Sequence, residues 1–322
     1  MTTRSQNTHT TSIHPATTVG LLSLTVSDLT RSLTFYTEAL GFEVLEQEGT
    51  EATLGGAGTP LLLLSEQAGV APWPRDRQSY TGLYHFAILM PTRADLGRWL
   101  GHWLELGFPL PGQGDHLVSE ALYLEDPNGH GIEIYRDRPR DQWQWTDGQV
   151  RMAANPVDIQ GLLTEAAQAG EPWAGLPAGT TLGHIHLQVG DIAQAESFYH
   201  DLLGFDIVAQ MPTALFISAG GYHHHLGMNT WHSRGAGAAP EGTAGLRFFT
   251  IDLPTEDARR EVVARIEAAG PRTVRTGELV VFQDPWHNTI LLQVGAAADA
   301  PAATALVTAA EAVRSSSART HP

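Results

Sequence analysis

The segment VGLLSLTVSDLTRSLTFYTEALGFEVL (Val19–Leu45) recurs without a gap as LGHIHLQVGDIAQAESFYHDLLGFDIV (Leu182–Val208). Gly20 aligns with Gly183, Asp28 with Asp191, Phe35-Tyr36 with Phe198-Tyr199, and Leu40-Gly41-Phe42 with Leu203-Gly204-Phe205. A chain that repeats itself this way must stack or pair copies of one supersecondary unit. Each copy reads as an alternating strand, an Asp able to cap a helix, an amphipathic helix and a Gly stop. Leu33, Tyr36 and Leu40 share one helix face. Short β-rich runs divided by Gly and Pro follow, such as FEVLEQE, EATLGG and PLLLLSE.

A weaker copy lies inside each half. GLYHFAILMPTRADLGRWLGHWLELGF (Gly82–Phe108) and GLRFFTIDLPTEDARREVVARIEAAG (Gly245–Gly270) are again strand, helix and Gly stop. Both lead to a strand, an Asp-Pro turn and a last strand, ALYLEDPNGHGIEIY and ELVVFQDPWHNTILLQV. The chain is therefore expected to be an α+β protein of four βαβββ modules, at about 18–66, 82–137, 181–231 and 244–294. This gives a first domain over 18–137, a linker with one short helix over 138–180, and a second domain over 181–294. Residues 1–17 and the Ala-rich 295–322 are expected to be flexible tails, the latter with at most a short helix.

Lys and Arg number 19 against 35 Asp and Glu, a net charge of −16. That excludes a protein that binds nucleic acid or anionic lipid through clustered cations. No apolar signal segment or membrane-length run is visible, so a soluble cytoplasmic protein is expected. There is no Cys but there are 15 His. Any metal site must therefore use imidazole nitrogen and oxygen.

The combination FY…LGF with DPNGHGIEIY resembles the vicinal-oxygen-chelate superfamily, which includes glyoxalase I, fosfomycin- and bleomycin-resistance proteins and extradiol dioxygenases. The resemblance covers nearly all of 18–294. It implies that each module curls into half of a cup, and that two modules close around a divalent metal held by their first and last strands. At the first-strand ligand position module two carries His85 and module three His184, whereas module one has Leu21 and module four Phe248. At the last-strand position module two has Glu133 and module four Leu291. Neither half could then assemble three ligands alone. The resemblance implies that module two pairs with module three, giving one live cup with His85, His184 and Glu133 and one dead cup.

Two His and one carboxylate form the facial triad typical of non-haem Fe(II) oxygenases, and Mn(II) suits the same donors. The resemblance further assigns an acid/base role to His224 in the GGYHHHLG run, with His223 and His225 on the opposite strand face. It assigns Tyr123 to the metal-bound substrate hydroxyl. An early His-or-Asp position falls on Asp115 or His116, as a substrate contact or a guide for O₂ and substrate. His186 shares a face with His184 and is read as a supporting or substrate-facing group. His102, His130, His200, His232 and His287 are expected at the surface, and Trp99, Trp103, Phe35 and Phe198 in the core.

These readings imply an extradiol, catechol 2,3-dioxygenase-like enzyme acting on a small aromatic diol with Fe(II) and O₂, giving a semialdehyde. The alternatives are a glyoxalase-like isomerase or lyase, which should need another carboxylate, and a non-enzymatic drug-binding protein of the same fold. A homodimer through exposed sheet edges is compatible with either layout.

Overall fold

The computed structural model describes residues 12–74, 80–271, 273–295 and 303–317. Module one comprises β1 (Thr18–Val26), α1 (Leu29–Thr34, continued by a π-helical turn Phe35–Ala39), β2 (Glu43–Glu48), β3 (Glu51–Gly56) and β4 (Thr59–Glu66). Module two comprises β5 (Tyr80–Leu89), α2 (Arg93–Glu105), β6 (Gly112–Asp115), β7 (Ser119–Glu125) and β8 (Gly131–Asp137). The connection holds a small hairpin, β9 (Trp145–Thr146) and β10 (Gln149–Val150), and then α3 (Ile159–Ala169).

Module three comprises β11 (Thr181–Gln188), α4 (Ile192–Ala195, continued by a π-helical turn Glu196–Leu202), β12 (Asp206–Met211), β13 (Ala214–Ser218) and β14 (Leu226–Asn229). The two-residue β15 (Gly237–Ala238) pairs with β5. Module four comprises β16 (Gly245–Leu253), α5 (Glu256–Ala269), β17 (Val274–Thr276), β18 (Leu279–Gln283) and β19 (Thr289–Val294), and α6 (Ala303–Ser317) follows.

The helix starts follow the capping logic of the repeat. Asp28, Thr92, Asp191 and Thr255 each accept a hydrogen bond from the backbone N–H three residues on. Each module helix ends at a left-handed glycine: Gly41, Gly107, Gly204 and Gly270.

The modules pair across the halves. One sheet has the order β12-β13-β14-β11-β5-β8-β7-β6, joining modules three and two through the antiparallel β11–β5 pair. The other has the order β17-β18-β19-β16-β1-β4-β3-β2, joining modules four and one. This is the crossed arrangement implied by the distribution of candidate ligands.

Side-chain contacts tie the halves in the other direction. The Tyr36 hydroxyl donates to Asp126 (3.0 Å) and the Tyr199 hydroxyl to Asp284 (2.8 Å). Each FY tyrosine thus reaches the Asp-Pro turn of its sequence neighbour, linking modules one with two and three with four. All four modules contribute to one core, with Leu22, Phe86, Trp99, Tyr199 and Phe249 buried among it.

Three expectations need correction. Residues 295–322 were expected to be a flexible tail, yet α6 spans 303–317 and buries Leu306, Ala309, Ala310 and Val313 against Leu21, Phe248 and Leu291. The helix fills the face where ligands would stand in a live cup. Its stripe is legible only as small apolar residues at helical spacing, which a low content of large side chains conceals. The remainder of that tail, 296–302 and 318–322, lies outside the described residues, as do 1–11 of the N-terminal one. His130, expected at the surface, is 2% exposed and its Nδ1 lies 2.9 Å from Asp126. His223 to His225 lie in the turn before β14 rather than on a strand, so strand alternation does not govern them.

Candidate active site

Strand register brings the candidate ligands together. Along β11–β5, His184 stands opposite Ala87 and His186 opposite His85; along β5–β8, Ala87 stands opposite Glu133. His85, His184 and Glu133 alternate with the core residues Phe86, Ile185, Ile132 and Ile134, so they point to the other face of the sheet. Between Glu133 and His184 the ladder offers only the methyl of Ala87, which leaves room for longer side chains to converge. Gly183 is required here, because a Cβ on it would lie 1.7 Å from the Tyr135 hydroxyl oxygen.

Ligand-type atoms of His85, Glu133 and His184 all lie within 4.8 Å of one another. His85 Nε2 and His184 Nε2 are each 3.1 Å from the same oxygen, Glu133 Oε2. All three residues are buried. Burial acts to raise the Glu133 pKa, but the charges and hydrogen bonds of His184 and His85 outweigh it and hold the carboxyl well below the usual range. A buried carboxylate aimed at two imidazole nitrogens is a donor set that fits a divalent first-row cation. Among the described residues no further carboxylate, His or Cys joins this cluster.

The cluster opens on a cavity of about 750 Å³ lined by His85, Glu133, His186, His224, Tyr123 and His116 among others. The His224 ring centroid is 4.1 Å from that of His184. Its Nδ1 is 2.8 Å from His223 Nδ1, and His223 Nε2 is 2.9 Å from Asp137 Oδ1. Ionised Asp137 can only accept, so a neutral His223 donates to it through Nε2 and accepts at Nδ1. His224 therefore donates through Nδ1 and keeps Nε2 as its acceptor. Burial, and then the charges of His184 and His223, push the His224 pKa well below its ordinary value. Neutral His224 beside neutral His223 thus has a defined tautomer, with Nε2 left as its acceptor.

On the module-two wall, His116 Nδ1 is 2.6 Å from the Ala153 carbonyl oxygen and must donate to it. His116 Nε2 then accepts from the Tyr123 hydroxyl at 2.6 Å. Burial, and then the Glu133 carboxylate, raise the Tyr123 pKa well above its ordinary value, so the phenol stays protonated. Asn229 Nδ2 donates to His186 Nε2 at 3.0 Å. Burial, followed by His85 and His184, lowers the His186 pKa well below its ordinary value.

Asp115 turns elsewhere. It accepts from the Leu117 N–H (3.0 Å) and pairs with Arg138 (2.7 Å), and it is not among the cavity-lining residues. The one-residue register left open by the sequence therefore places His116 in the cavity and Asp115 in the loop's own bonding. Sequence reasoning missed Asp137 and His223, whose role exists only through contacts of sequence separation 86. It also missed the linker residues Met152, Ala153 and Ala154, which line the cavity and have no chemical signature of their own.

No helix among the described residues is long and apolar enough to cross a membrane. The family model described as the Glyoxalase/Bleomycin resistance protein/Dioxygenase superfamily matches residues 14–134 and 181–292. The chain is 46% identical over 278 residues to a catechol-2,3-dioxygenase of Bacillus subtilis (strain 168), covering 85% of this chain and 96% of that protein. Among solved structures, a protein from Bacillus subtilis subsp. subtilis str. 168 superposes with a TM-score of 0.58 at 12% identity, covering 88% of this chain and 87% of that one. Glyoxalase I from Zea mays superposes with a TM-score of 0.52 at 17% identity, covering 86% and 92%. These two structures bear on the fold alone; the family match and the Bacillus relative mean that the chain belongs to the glyoxalase/bleomycin resistance protein/dioxygenase superfamily.

Proposed function

We propose that this chain is an extradiol ring-cleaving dioxygenase acting on a catechol, with Fe(II) held by His85, His184 and Glu133. The observation that supports this most is the convergence of two imidazoles and one carboxylate, with no further carboxylate joining the cluster among the described residues, on a cavity walled by His224 and by the Tyr123–His116 pair. The 46% identical catechol-2,3-dioxygenase supports the same reading. His85, His184 and Glu133 would hold Fe(II), or Mn(II), which suits the same donors, and the metal would supply Lewis-acid binding of the diol and activation of O₂.

The remaining chemistry belongs to the protein. His224 Nε2, free to accept, takes the proton of a catechol hydroxyl and later returns one to the opening ring. The Asp137–His223 pair holds the His224 ring and tautomer through this exchange. Tyr123, protonated and anchored on His116, positions a substrate oxygen. His186, kept neutral and fixed by Asn229, adds an uncharged wall beside the ligands. Both atoms of O₂ enter the product, and the ring opens beside the diol to a semialdehyde.

The test is anaerobic loading with Fe(II), followed by catechol and air. Stoichiometric O₂ uptake with a yellow semialdehyde product is the expected result. Iron-loaded protein that consumes no O₂ with any catechol overturns the reading.

A further inference from the structure

Met211 is the last residue of β12 and is 47% exposed. It stands in the walls of two cavities. One is the candidate active cavity described above. The other, of about 340 Å³, lies beside the start of α4, and Asp191, Glu196, Gln210, Thr230 and Arg234 share its wall with Met211. The other described methionines are less open: Met90 is 1% exposed, Met228 is fully buried and Met152 is half-buried. Oxidation of methionine follows exposure, so Met211 is the described thioether that an oxidant in solution meets first. Its unbranched side chain turns about three bonds, which lets it face either cavity.

The second cavity holds what an oxidised methionine needs. Its carboxylates are already in use: Asp191 Oδ1 accepts from the Gln194 N–H and Glu196 Oε2 from Gln210 Nε2, both at 2.8 Å. Thr230 is different. It is 6% exposed, and its Oγ1 has no hydrogen-bond partner among the described residues. The Thr230 N–H donates to the Thr213 carbonyl oxygen at 3.0 Å, and Thr213 lies in the turn that follows Met211. The unpaired hydroxyl is thus beside the hairpin that carries the methionine. A thioether offers it only a weak acceptor. A sulfoxide offers a polar oxygen, and the Arg234 guanidinium in the same wall can only donate.

We propose that Met211 is a reversible oxidation site whose sulfoxide is held in the second cavity by Thr230 and Arg234, so that oxidation withdraws this side chain from the mouth of the candidate active cavity. The oxidant is hydrogen peroxide. A sulfur lone pair forms the S–O bond as the O–O bond breaks, so sulfur gives up two electrons and the peroxide takes them. The departing hydroxide collects the remaining peroxide proton and leaves as water. Methionine sulfoxide reductases, with a thiol as reductant, reverse the step, one enzyme for each sulfoxide epimer.

The test uses the full chain loaded with Zn(II), which has no redox chemistry of its own. Hydrogen peroxide is added and each methionine is followed by peptide mass spectrometry. Met211 should gain one oxygen at least about tenfold faster than Met90 and Met228, and faster than Met152. The Thr230 hydroxyl can donate on only one face of the sulfur. One epimer should therefore exceed the other by about threefold or more, the discrimination that one hydrogen bond supplies. The two epimer-specific reductases count them. Thr230→Val keeps the shape of the side chain and removes only an unpaired hydroxyl; the excess should vanish while Met211 is still oxidised. In Arg234→Leu the sulfoxide should be reduced about threefold faster or more. In protein labelled with ¹³C at the methionine methyls, the oxidised Met211 methyl should show Overhauser contacts to Thr230 and none to Phe216, which lines the active cavity. Met211 oxidised no faster than Met152, an equal mixture of epimers, an excess that survives in Thr230→Val, a reduction rate unmoved in Arg234→Leu, or a sulfoxide in contact with Phe216 overturns the proposal. Each readout is independent of catechol turnover, so the oxidation site stands or falls apart from the dioxygenase reading.

Discussion

Glu133 and His184 belong to different halves of the chain, and the sheet brings Oε2 of one to 3.1 Å from Nε2 of the other. That contact exists only because β5 of module two pairs with β11 of module three. The candidate metal site is thus made by the crossing of the duplicated halves. Glu133→Gln keeps the size of the side chain and removes its charge. Metal affinity should fall by more than about 100-fold, since even residues behind a ligand are worth 10- to 100-fold. In the wild type, metal at a hundred times its Kd should stabilise the fold by about 2.7 kcal/mol over the chelator-treated protein. Metal content by elemental analysis and urea unfolding with and without chelator measure both effects. An unchanged metal stoichiometry in Glu133→Gln would remove Glu133 from the ligand set.

His224 contacts the His184 ring but lies outside the group whose donor atoms converge. Its replacement by Ala should therefore leave the metal bound while turnover drops about 10²- to 10⁴-fold, the usual worth of a general acid/base. Loss of metal in the same variant would make His224 a ligand instead.

Asp137 reaches His224 only through His223. Asp137→Asn offers His223 a group that can donate as well as accept, so the tautomer of both rings is no longer set. A fall in kcat of about tenfold or more is expected, with KM little changed, because neither residue lines the cavity. Steady-state kinetics separates the two parameters, and ¹⁵N shifts of labelled histidines report the tautomer directly. Unchanged His224 shifts would refute the positioning role.

The repeat and the four modules were legible because backbone capping and period-two alternation are local and recur at a constant offset; the candidate ligands on modules two and three came from the resemblance laid over that repeat. Gly183 and Ala87 were present as letters, but their role as space for Tyr135 and for converging ligands depends on strand register, which no local pattern fixes. His130 looks like a surface histidine until the turn is seen to bury it on Asp126, and His223, read as the far face of a strand, gains its partner Asp137 only through the fold. For helix α6 the sequence allowed only a short helix in a loose tail; its length and its packing were missed for a related reason, since alanines carry weight only when a matching apolar face awaits them.

That face is the dead cup, where Leu21, Phe248 and Leu291 meet Leu306, Ala310 and Val313. Leu306 is fully buried. Leu306→Ala should cost about 2–5 kcal/mol of unfolding free energy, as for other buried leucines. Urea unfolding gives the number. Helix α6 packs on β17, β18 and β19 of the other sheet, so metal binding at His85, His184 and Glu133 should survive the substitution. A change below about 0.5 kcal/mol would mean that α6 is not seated there in solution.

The same sheet carries a carboxyl that opposes folding at neutral pH. Asp252 accepts from Thr250 Oγ1 and Gln293 Nε2, both at 2.7 Å, but burial dominates and raises its pKa from 3.8 to about 6. Below pH 3.8 the group is neutral in folded and unfolded chains alike, and its folded-state preference for the neutral form is fully satisfied. Between about pH 4 and 6 the unfolded chain releases its proton first, so stability is lost as pH rises through this window. Above pH 6 the loss levels off at 6 − 3.8, about 2.2 units, on the order of 3 kcal/mol. Asp252→Asn keeps an acceptor for Thr250 and Gln293 but cannot ionise. Other groups, such as His225 with its pKa lowered to about 3 by burial, titrate in both proteins and cancel in the comparison. The stability of the variant minus that of the wild type should therefore climb by on the order of 3 kcal/mol between pH 4 and 6, then stay flat to pH 8. Urea midpoints of the two proteins across that range give the curve. A difference that does not change with pH would mean that Asp252 ionises in the folded chain as readily as in the unfolded one.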